Sequence, residues 1–231
     1  MLVYPDGSIE GTIGGGHLEA EVIQAARTAI DERCSRTLNI ELTESYGHTC
    51  GGRAFVYIEP ILAEPRLVIF GAGHVGRALS RLGRLAGFRV IIGDDRPEFA
   101  DREKLPDAGR VVILTWKDAL SDIPVDDNTY VVIATRGHAH DFQVAARVLE
   151  TPARYVGLVG SKKKRTALAD FLKKENFSEA QINRIITPVG LSIGSVTPEE
   201  IAVSIVAQLI EYRRLHGPVS VGHSACSGSL S

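Results

Sequence analysis

The chain has 231 residues and a formal net charge of -2, a length that at roughly 150 residues per domain predicts one large domain or two small ones. Its 44% hydrophobic and 23% charged residues exclude a disordered or collagen-like chain, and the lack of a basic surplus argues against a general nucleic-acid binder. No apolar run approaches the roughly 20 residues of a membrane span, and no signal peptide follows Met1, so we expect a cytoplasmic protein. The three cysteines, Cys34, Cys50 and Cys226, agree with a reducing compartment, because they form no C-x-x-C pair and no even disulfide framework.

The first 62 residues predict a small α/β domain. Its two leading strands meet at Pro5-Asp6-Gly7, which favours a turn because proline presets φ and glycine accepts a positive φ. A helix with apolar residues at helical spacing follows, and then two more strands. The domain begins abruptly at Met1, so we expect it to be truncated, and the two prolines in residues 60–65 predict a linker. The predicted elements are strands 2–4, 8–13, 37–42 and 53–59 and a helix over 17–33.

Residues 66–215 predict a larger domain in which short apolar runs alternate with helical stretches. Such runs are typical of strands buried on both faces, and the βαβ alternation predicts a Rossmann-like, doubly wound parallel sheet. A capping box from Thr197 to Glu200 starts the last helix, and the Gly- and Ser-rich residues 216–231 predict a flexible tail. The predicted strands are 67–70, 89–92, 111–114, 130–134 and 155–159, and the predicted helices are 74–87, 97–104, 116–121, 140–150, 161–175, 178–186 and 198–215.

The sequence Gly71-Ala72-Gly73-His74-Val75-Gly76 follows the first strand of this domain and opens a helix. In that context G-x-G-x-x-G predicts a dinucleotide-binding turn, in which the first glycine allows the turn, the second admits a pyrophosphate and the third lets the helix pack on the sheet. Asp94 ends the second strand, where an acid accepts hydrogen bonds from a ribose. Its neighbours Asp95 and Arg96 leave the choice between NAD and NADP open. The alternative is a Rossmann domain that keeps the turn without binding a dinucleotide.

Four cations occur in Gly160-Ser161-Lys162-Lys163-Lys164-Arg165, where a helix begins after the fifth strand. They repel one another and the positive end of the helix dipole, and an anionic ligand would remove this conflict. Ser161 is the predicted N-cap, and Ser161 and Lys162 are predicted to contact a phosphate. The alternative is a solvated basic face.

The loop from Thr135 to Asp141 follows the fourth strand, at the edge where sheets of this kind bind ligands. Arg136 and His138 are predicted to line the ligand. The H-x-H-D string formed by His138, His140 and Asp141 is short of a complete metal site. For metal binding we therefore favour the alternative, a loop that simply starts a helix, with Asp141 in the first turn.

Two glycine-rich loops occur in the first domain. Gly14-Gly15-Gly16 leads directly into the predicted helix, a geometry in which backbone N–H groups cradle a phosphate. In Cys50-Gly51-Gly52, a thiol beside permissive glycines is able to approach a ligand or a soft metal. The alternative for Cys50 is a small buried hydrophobic residue.

Six motifs, taken together and in this order, resemble a known family. They are Gly11 to Glu19, Cys50 to Gly52, Phe70 to Gly76, Asp94 to Phe99, Gly160 to Arg165, and Pro188 to Gly194 running into Thr197 to Ala202. The chain resembles the xanthine dehydrogenase accessory factor (XdhC/CoxI) family over nearly its whole length, up to about Arg214. Family members carry a segment ahead of the first strand, so the chain looks shortened at its amino terminus.

The resemblance implies an accessory-factor domain followed by a Rossmann-like domain. It also implies a protein that binds molybdenum cofactor in its molybdopterin form, holds it during sulfuration by a cysteine desulfurase, and delivers it to a molybdenum hydroxylase such as xanthine dehydrogenase. We expect a homodimer and a non-catalytic cofactor chaperone, because no nucleophile and base pair is visible. The predicted cofactor-binding residues are Gly14, Gly15, Gly16, Cys50, Gly51, Gly71, Gly73, His74, Gly76, Asp94, Arg136, His138, Ser161 and Lys162, with Cys50 as the metal contact.

Two other functions stay open on sequence grounds. The first is an NAD(P)-dependent oxidoreductase, which the dinucleotide fingerprint supports by itself. The second is a dinucleotide-sensing protein that binds the cofactor without consuming it. Retention of a pterin by the purified protein separates both from a molybdenum cofactor carrier.

Overall fold

The computed structural model describes residues 1–32, 34–42 and 52–216. The chain divides into two compact units, one of Met1–Ala63 with the described residues from Tyr212 onward, and one of Glu64–Glu211. The division between residues 63 and 64 falls within the segment predicted as a linker. None of the helices in the described part of the chain is long and apolar enough to cross a membrane.

In its described residues, the first unit combines a long helix with two antiparallel strand pairs. Its elements are β1 (Leu2–Val3), β2 (Ile9–Glu10), α1 (Gly16–Glu32), β3 (Arg36–Leu42) and β4 (Gly52–Ile58). Strand β1 pairs with β2, and β3 pairs with β4 over seven residues. Helix α1 buries Val22, Ala26 and Ala29, whose spacing of three and four residues places them on one helical face.

The second unit is a six-stranded sheet with helices between its strands. Its strands are β5 (Arg66–Phe70), β6 (Arg89–Asp94), β7 (Arg110–Ile113), β8 (Thr129–Ile133), β9 (Tyr155–Leu158) and β10 (Ile185–Ile186). Its helices are α2 (His74–Leu85), α3 (His138–Leu149), α4 (Lys162–Lys174), α5 (Glu179–Ile182) and α6 (Pro198–His216). Helix α6 continues into the first unit at Tyr212.

The strand order confirms the predicted fold class. It runs β10-β9-β8-β5-β6-β7, and all five pairings are parallel. Counted from β5 as the first strand, this is the 3-2-1-4-5-6 order of a doubly wound Rossmann sheet. Right-handed crossovers in the two halves place their helices on opposite faces. The direction of winding therefore reverses between β5 and β8.

The centre of the sheet is its most buried part. All residues of β8 are buried, as are the last four residues of β5. Side chains alternate between the two faces of a strand, so both faces of these strands are covered. Each fully buried aliphatic side chain stabilises the fold by about 1.5–3 kcal/mol. The pairing of these two buried strands places the loops that follow them next to each other.

The prediction of a short helix over the whole of 178–186 is wrong, because the segment ends in a sixth strand. That segment begins with α5, but it ends in β10, which pairs with β9 through Ile185 and Ile186. The Arg184 guanidinium donates to the carbonyls of Leu149, Thr151 and Ala153 and holds the segment at the sheet edge. A two-residue strand has no detectable periodicity, so tertiary pairing decides it.

Three other predicted elements are shorter than expected or differ in type. Residues 97–104 form turns rather than a helix, and within 116–121 only Trp116–Asp118 make a short 3-10 helix. The predicted strand 8–13 is reduced to β2, because the chain turns at Gly11 with a φ of 76°. Segments this short show too few periods of a hydrophobic pattern for the sequence to distinguish a helix or a strand from a turn.

Candidate functional site

The carboxyl ends of the six parallel strands share one edge of the sheet, and the loops that follow them carry most of the predicted site residues. These loops begin at Gly71 after β5, Asp95 after β6, Ala134 after β8 and Val159 after β9. In doubly wound sheets, ligands bind outside this edge where the winding reverses. Here that point lies between β5 and β8.

The glycine turn after β5 has the predicted geometry. Gly71 has a φ of 114°, and a Cβ atom there would overlap the carbonyl oxygen of Ala134. A Cβ atom on Gly76 would overlap the carbonyl oxygen of Gly71. Gly73 differs, because its φ is -69° and no atom lies within 4 Å of the place a Cβ would occupy. The outer two glycines therefore serve the fold, whereas Gly73 leaves open space for a close approach.

The two helices beside the reversal point begin without a side-chain cap. Gly73 is the N-cap of α2 and Gly137 that of α3, and neither supplies a capping hydrogen bond. The first N–H groups of a helix have no acceptor within the helix, and the helix dipole makes this end positive. His74 and His138 are the first residues of these helices, and both are exposed. The arrangement suits a bound anion.

Asp94 is buried beneath this turn and joins β6 to it. Its carboxylate accepts hydrogen bonds from the Ala72 N–H at 2.8 Å, from the Arg96 N–H at 3.1 Å, and from the Arg96 guanidinium at 2.8 and 3.0 Å. Burial raises the pKa of Asp94, but the hydrogen bonds from Arg96 and Ala72 outweigh it, so the pKa lies below its usual value. Both oxygens of the Asp94 carboxylate therefore already accept hydrogen bonds from the protein itself.

Two arginines approach the neighbouring loops. The Arg96 guanidinium lies 3.6 Å from the ring centroid of Phe99, a cation–π contact. Arg136 in the loop after β8 donates from Nη2 to Asp95 Oδ2 at 2.8 Å. Because β5 lies between β6 and β8, this ion pair spans the strand that carries the glycine turn. No feature of the sequence indicates a contact between residues so far apart in the chain.

The start of α4 supplies its own partners. The Ser161 side chain accepts from the Lys164 N–H, as predicted for an N-cap. Lys164 Nζ lies 2.5 Å from the buried Asp141 Oδ2 and donates to the Val159 carbonyl at 2.8 Å. Lys162 and Lys163 are exposed. Part of the predicted charge conflict is thus resolved by Asp141, which sequence analysis placed only in a first helical turn.

The glycine loop of the first unit folds around a carboxylate. Gly14, Gly15 and Gly16 all have positive φ, and no atom lies within 4 Å of where their Cβ atoms would be. However, Glu19 Oε2 accepts from the Ile13 N–H at 3.1 Å and the Gly15 N–H at 3.3 Å. A hydrogen bond from the Thr12 hydroxyl, together with these backbone bonds, lowers the pKa of Glu19. A phosphate at this loop would compete with Glu19.

The described residues include one of the three cysteines, Cys34. Cys50 and Gly51 lie outside the described residues. Cys34 is buried and takes part in a disulfide, which the sequence, with its odd number of cysteines, did not lead us to expect. Among residues 1–32, 34–42 and 52–216, no group of three or more His, Cys, Asp and Glu side chains is arranged to hold a metal ion.

An apolar cavity of about 450 Å³ lies in the first unit, and Ile13, which precedes the three glycines of the loop, contributes to its lining. It is bordered by β1, α1 and β4, and its lining includes Val3, Val22, Val56 and Tyr57. A phosphate-bearing ligand favours cationic partners, and the lining of this cavity contains no Lys, Arg or His side chain. The sheet edge of the second unit is therefore the better site for an anionic ligand.

Family comparisons agree with this architecture. The sequence model of the XdhC Rossmann domain matches residues 67–209, and that of the XdhC and CoxI family matches residues 1–46. The first of these covers more than half of the chain. The chain belongs to the XdhC and CoxI family. The resemblance stated from the motifs is thus confirmed.

Individual relatives share sequence and fold. The chain is 33% identical to the uncharacterized protein YqeB of Escherichia coli over 92% of its own length, and 32% identical to a probable xanthine dehydrogenase subunit from Bacillus subtilis over 69%. It spans 40% and 46% of the lengths of these two proteins. A crystal structure of a xanthine dehydrogenase from Bacillus halodurans matches 95% of the chain and 87% of its own, with a TM-score of 0.60 and 24% identity, and so shares the fold.

Proposed function

We propose that this XdhC-family chain is an accessory factor that binds molybdenum cofactor for a molybdenum hydroxylase. The observation that carries the proposal is the start of α2 at the reversal point, where Gly73 provides no side-chain cap and leaves open space. Molybdopterin carries a phosphate, and a helix start of this kind is a ready anion site. Family membership supports the choice of this cofactor over other anions.

The residues around the turn fit the rest of such a ligand. A pterin has a wide, hydrogen-bonding heterocycle, and the loop after β8 offers Arg136 and the exposed His138 beside the turn. In this proposal, Gly73 and the first turn of α2 hold the phosphate, and the loop after β8 orients the heterocycle. The cofactor itself supplies the metal chemistry of the client enzyme, while the chain binds, orients and shields it.

The remaining parts of the proposal concern assembly. A cysteine desulfurase sulfurates the bound cofactor, the chain then delivers it to a hydroxylase such as xanthine dehydrogenase, and two copies form a homodimer. The Bacillus subtilis relative, whose name describes a probable xanthine dehydrogenase component, supports the class of client. Cys50, outside the described residues, is proposed as the contact to molybdenum, because a thiolate is a soft ligand.

Cofactor retention tests the proposal. The chain is purified from cells that make molybdopterin, together with Gly73→Ala and Cys50→Ser variants, and the released pterin is oxidised to a fluorescent product. We expect the parent to retain pterin and Gly73→Ala to lose at least about 80% of it, because a methyl group enters the approach path and costs about 1 kcal/mol or more. A cooperative melting transition within a few degrees of the parent's shows that each variant folds. A parent without pterin contradicts the proposal.

Binding of a nicotinamide dinucleotide is the second candidate function. The strand order and the spacing of the three glycines favour it, because the same turn receives the pyrophosphate in doubly wound sheets. Calorimetric titration with NAD+ and NADP+ tests for binding, and a hydride-transfer assay separates an oxidoreductase from a dinucleotide-sensing protein. Pterin retention without dinucleotide binding rejects this candidate and leaves the first intact.

A further inference from the structure

A cavity of about 320 Å³ lies in the second unit, and none of the described residues predicted to bind the cofactor lines it. It is bordered by the short 3-10 helix at Trp116–Asp118, by the later turns of α3, by the end of α4 and by the loop that follows α4. Its volume is near the lower end of the roughly 300–1,000 Å³ that is typical of small-molecule sites. The cavity therefore suits a ligand of the size of one amino acid rather than a dinucleotide.

Aromatic side chains from three parts of the fold line this cavity. They are Trp116 in the 3-10 helix, Phe171 in α4 and Phe177 in the loop after α4. Trp116 belongs to the buried core, and the two half-buried phenylalanines pack against that core, so these walls are ordered without a ligand. Aromatic rings pair favourably with another ring, and their faces attract an ammonium group. The lining thus favours a ligand with an aromatic body.

Two acidic side chains of the lining occur at helix C-termini. Glu150 is the C-cap of α3 and Glu175 is the C-cap of α4. A helix C-terminus is the negative end of the helix dipole, so a carboxylate there is unfavourable without a cation. Arg147 supplies one to Glu150, at 3.5 Å, whereas Lys173 on the last turn of α4 pairs with Glu179 instead. In the described part of the chain no side chain forms an ion pair with Glu175, which leaves its carboxylate available to a ligand ammonium.

The lining also contains a cation without a counter-charge. Lys117 is exposed beside Trp116, and within residues 1–32, 34–42 and 52–216 it forms no ion pair. A purely cationic ligand is repelled by Lys117, and a purely anionic one by Glu175. A ligand that carries both charges satisfies both side chains. The charges of the cavity therefore select a zwitterion.

We propose that this cavity binds a free amino acid with an aromatic side chain. The ring packs against Trp116, Phe171 and Phe177. The carboxylate of the amino acid pairs with Lys117, and its ammonium group pairs with Glu175. This site is separate from the residues proposed for the cofactor and does not depend on the proposed function. Because the ligand binds only the folded chain, it stabilises the second unit by mass action.

Tryptophan fluorescence of the full chain tests the proposal directly, because Trp116 is the one tryptophan of the sequence. L-Phenylalanine is titrated while tryptophan is excited selectively, and equilibrium dialysis with labelled phenylalanine measures the stoichiometry. We expect a saturable change in fluorescence and uptake of a single molecule per chain. Phenethylamine lacks the carboxylate and 3-phenylpropanoate lacks the ammonium group. Each should bind about fivefold more weakly than phenylalanine, because one exposed ion pair is lost.

Variants assign the two charges separately. Lys117→Gln should weaken phenylalanine binding about fivefold without weakening phenethylamine binding. Glu175→Gln should weaken phenylalanine binding by a similar factor without weakening 3-phenylpropanoate binding. Lys163→Gln and Glu103→Gln, matched changes at exposed residues outside the cavity, should leave all three affinities unchanged. Phe177→Leu removes a ring but keeps an apolar side chain, so it should weaken all three ligands.

The outcomes are decisive for this site and independent of the cofactor. If phenylalanine shows no saturable binding, the inference fails and the cofactor proposal is unaffected. If either analogue binds as tightly as phenylalanine, the cavity accepts an organic ion of one charge and the assignment of a zwitterion is wrong. If the Lys117 and Glu175 variants weaken all three ligands equally, these side chains support the fold and do not contact the ligand.

Discussion

The starts of α2 and α4 lie on the same edge of the sheet, but they differ in whether the protein itself caps the helix and balances its positive end. Helix α2 begins at Gly73, has no side-chain cap, and opens into free space. Helix α4 begins with three lysines, but it is capped by Ser161, and Lys164 is paired with the buried Asp141. The helix with the more cationic sequence is therefore the one whose first turn already has a protein cap and a protein counter-charge.

This difference shows that a cluster of positive charge is a poor guide to an anion site by itself. The positive end of a helix attracts an anion only where its N–H groups remain available. At α4, side chains of the protein already provide the cap and the counter-charge. At α2, the glycine leaves both roles to a ligand. The predictions below test this contrast.

The largest effect is expected within the glycine turn. Gly71→Ala places a side chain at a φ of 114° and against the carbonyl oxygen of Ala134. Backbone strain and overpacking each cost about 1–3 kcal/mol, so the free energy of unfolding should fall by about 4 kcal/mol. Gly73→Ala, with a normal φ and open space, should lose no more than about 1 kcal/mol. Equal losses in urea denaturation would contradict the division of roles between the two glycines.

A slightly smaller effect is expected at the start of α4. Lys164→Gln leaves the buried Asp141 without its cation, which should lower the free energy of unfolding by about 3 kcal/mol. Lys163→Gln, on the same helix but exposed, should change it by less than about 0.5 kcal/mol. Thermal and urea unfolding of both variants measure the contrast. Similar values would mean that the Lys164–Asp141 pair does not hold the helix start.

The third prediction concerns acid stability of the α2 turn. Because the pKa of Asp94 is lowered, its contribution to the free energy of unfolding is fully present above the ordinary aspartate pKa of about 3.9. That contribution is lost as the pH falls through the folded-state pKa. Asp94→Asn should therefore flatten the decline in unfolding free energy below about pH 4. Asp107→Asn serves as the control with the same change in charge. A decline as steep as in the parent would show that Asp94 is not the titrating group.

The smallest effect is expected when both exposed lysines of α4 are replaced. Sequence analysis predicts that Lys162 contacts a phosphate, whereas the capped helix start favours α2. In the Lys162→Gln, Lys163→Gln double variant we expect stability within about 0.5 kcal/mol of the parent and ligand affinity within about threefold. A melting series with and without inorganic phosphate, NAD+ or pterin cofactor measures both. Loss of the ligand-induced rise in melting temperature would restore the anion site to α4.

Most of the fold could be predicted because its signals are local. The five longer strands of the second unit are near-continuous apolar runs, and the turn from Gly71 to Gly76 has a fixed spacing set by close packing. The Ser161 cap also follows from adjacent residues. In contrast, β10 and the turns after Arg96 depend on partners distant in the chain, so their short segments carried misleading propensities.

The sequence by itself determined the doubly wound class, the family and the place of the glycine turn, because periodicity and short motifs encode them along the chain. Only the tertiary structure decided which charged groups remain available to a ligand. The Arg96 guanidinium donates to the Asp94 carboxylate, and Arg136 from another loop pairs with Asp95. Lys164 forms an ion pair with the buried Asp141. The energy of a charge depends on burial and on its neighbours in space, and a linear sequence specifies neither directly.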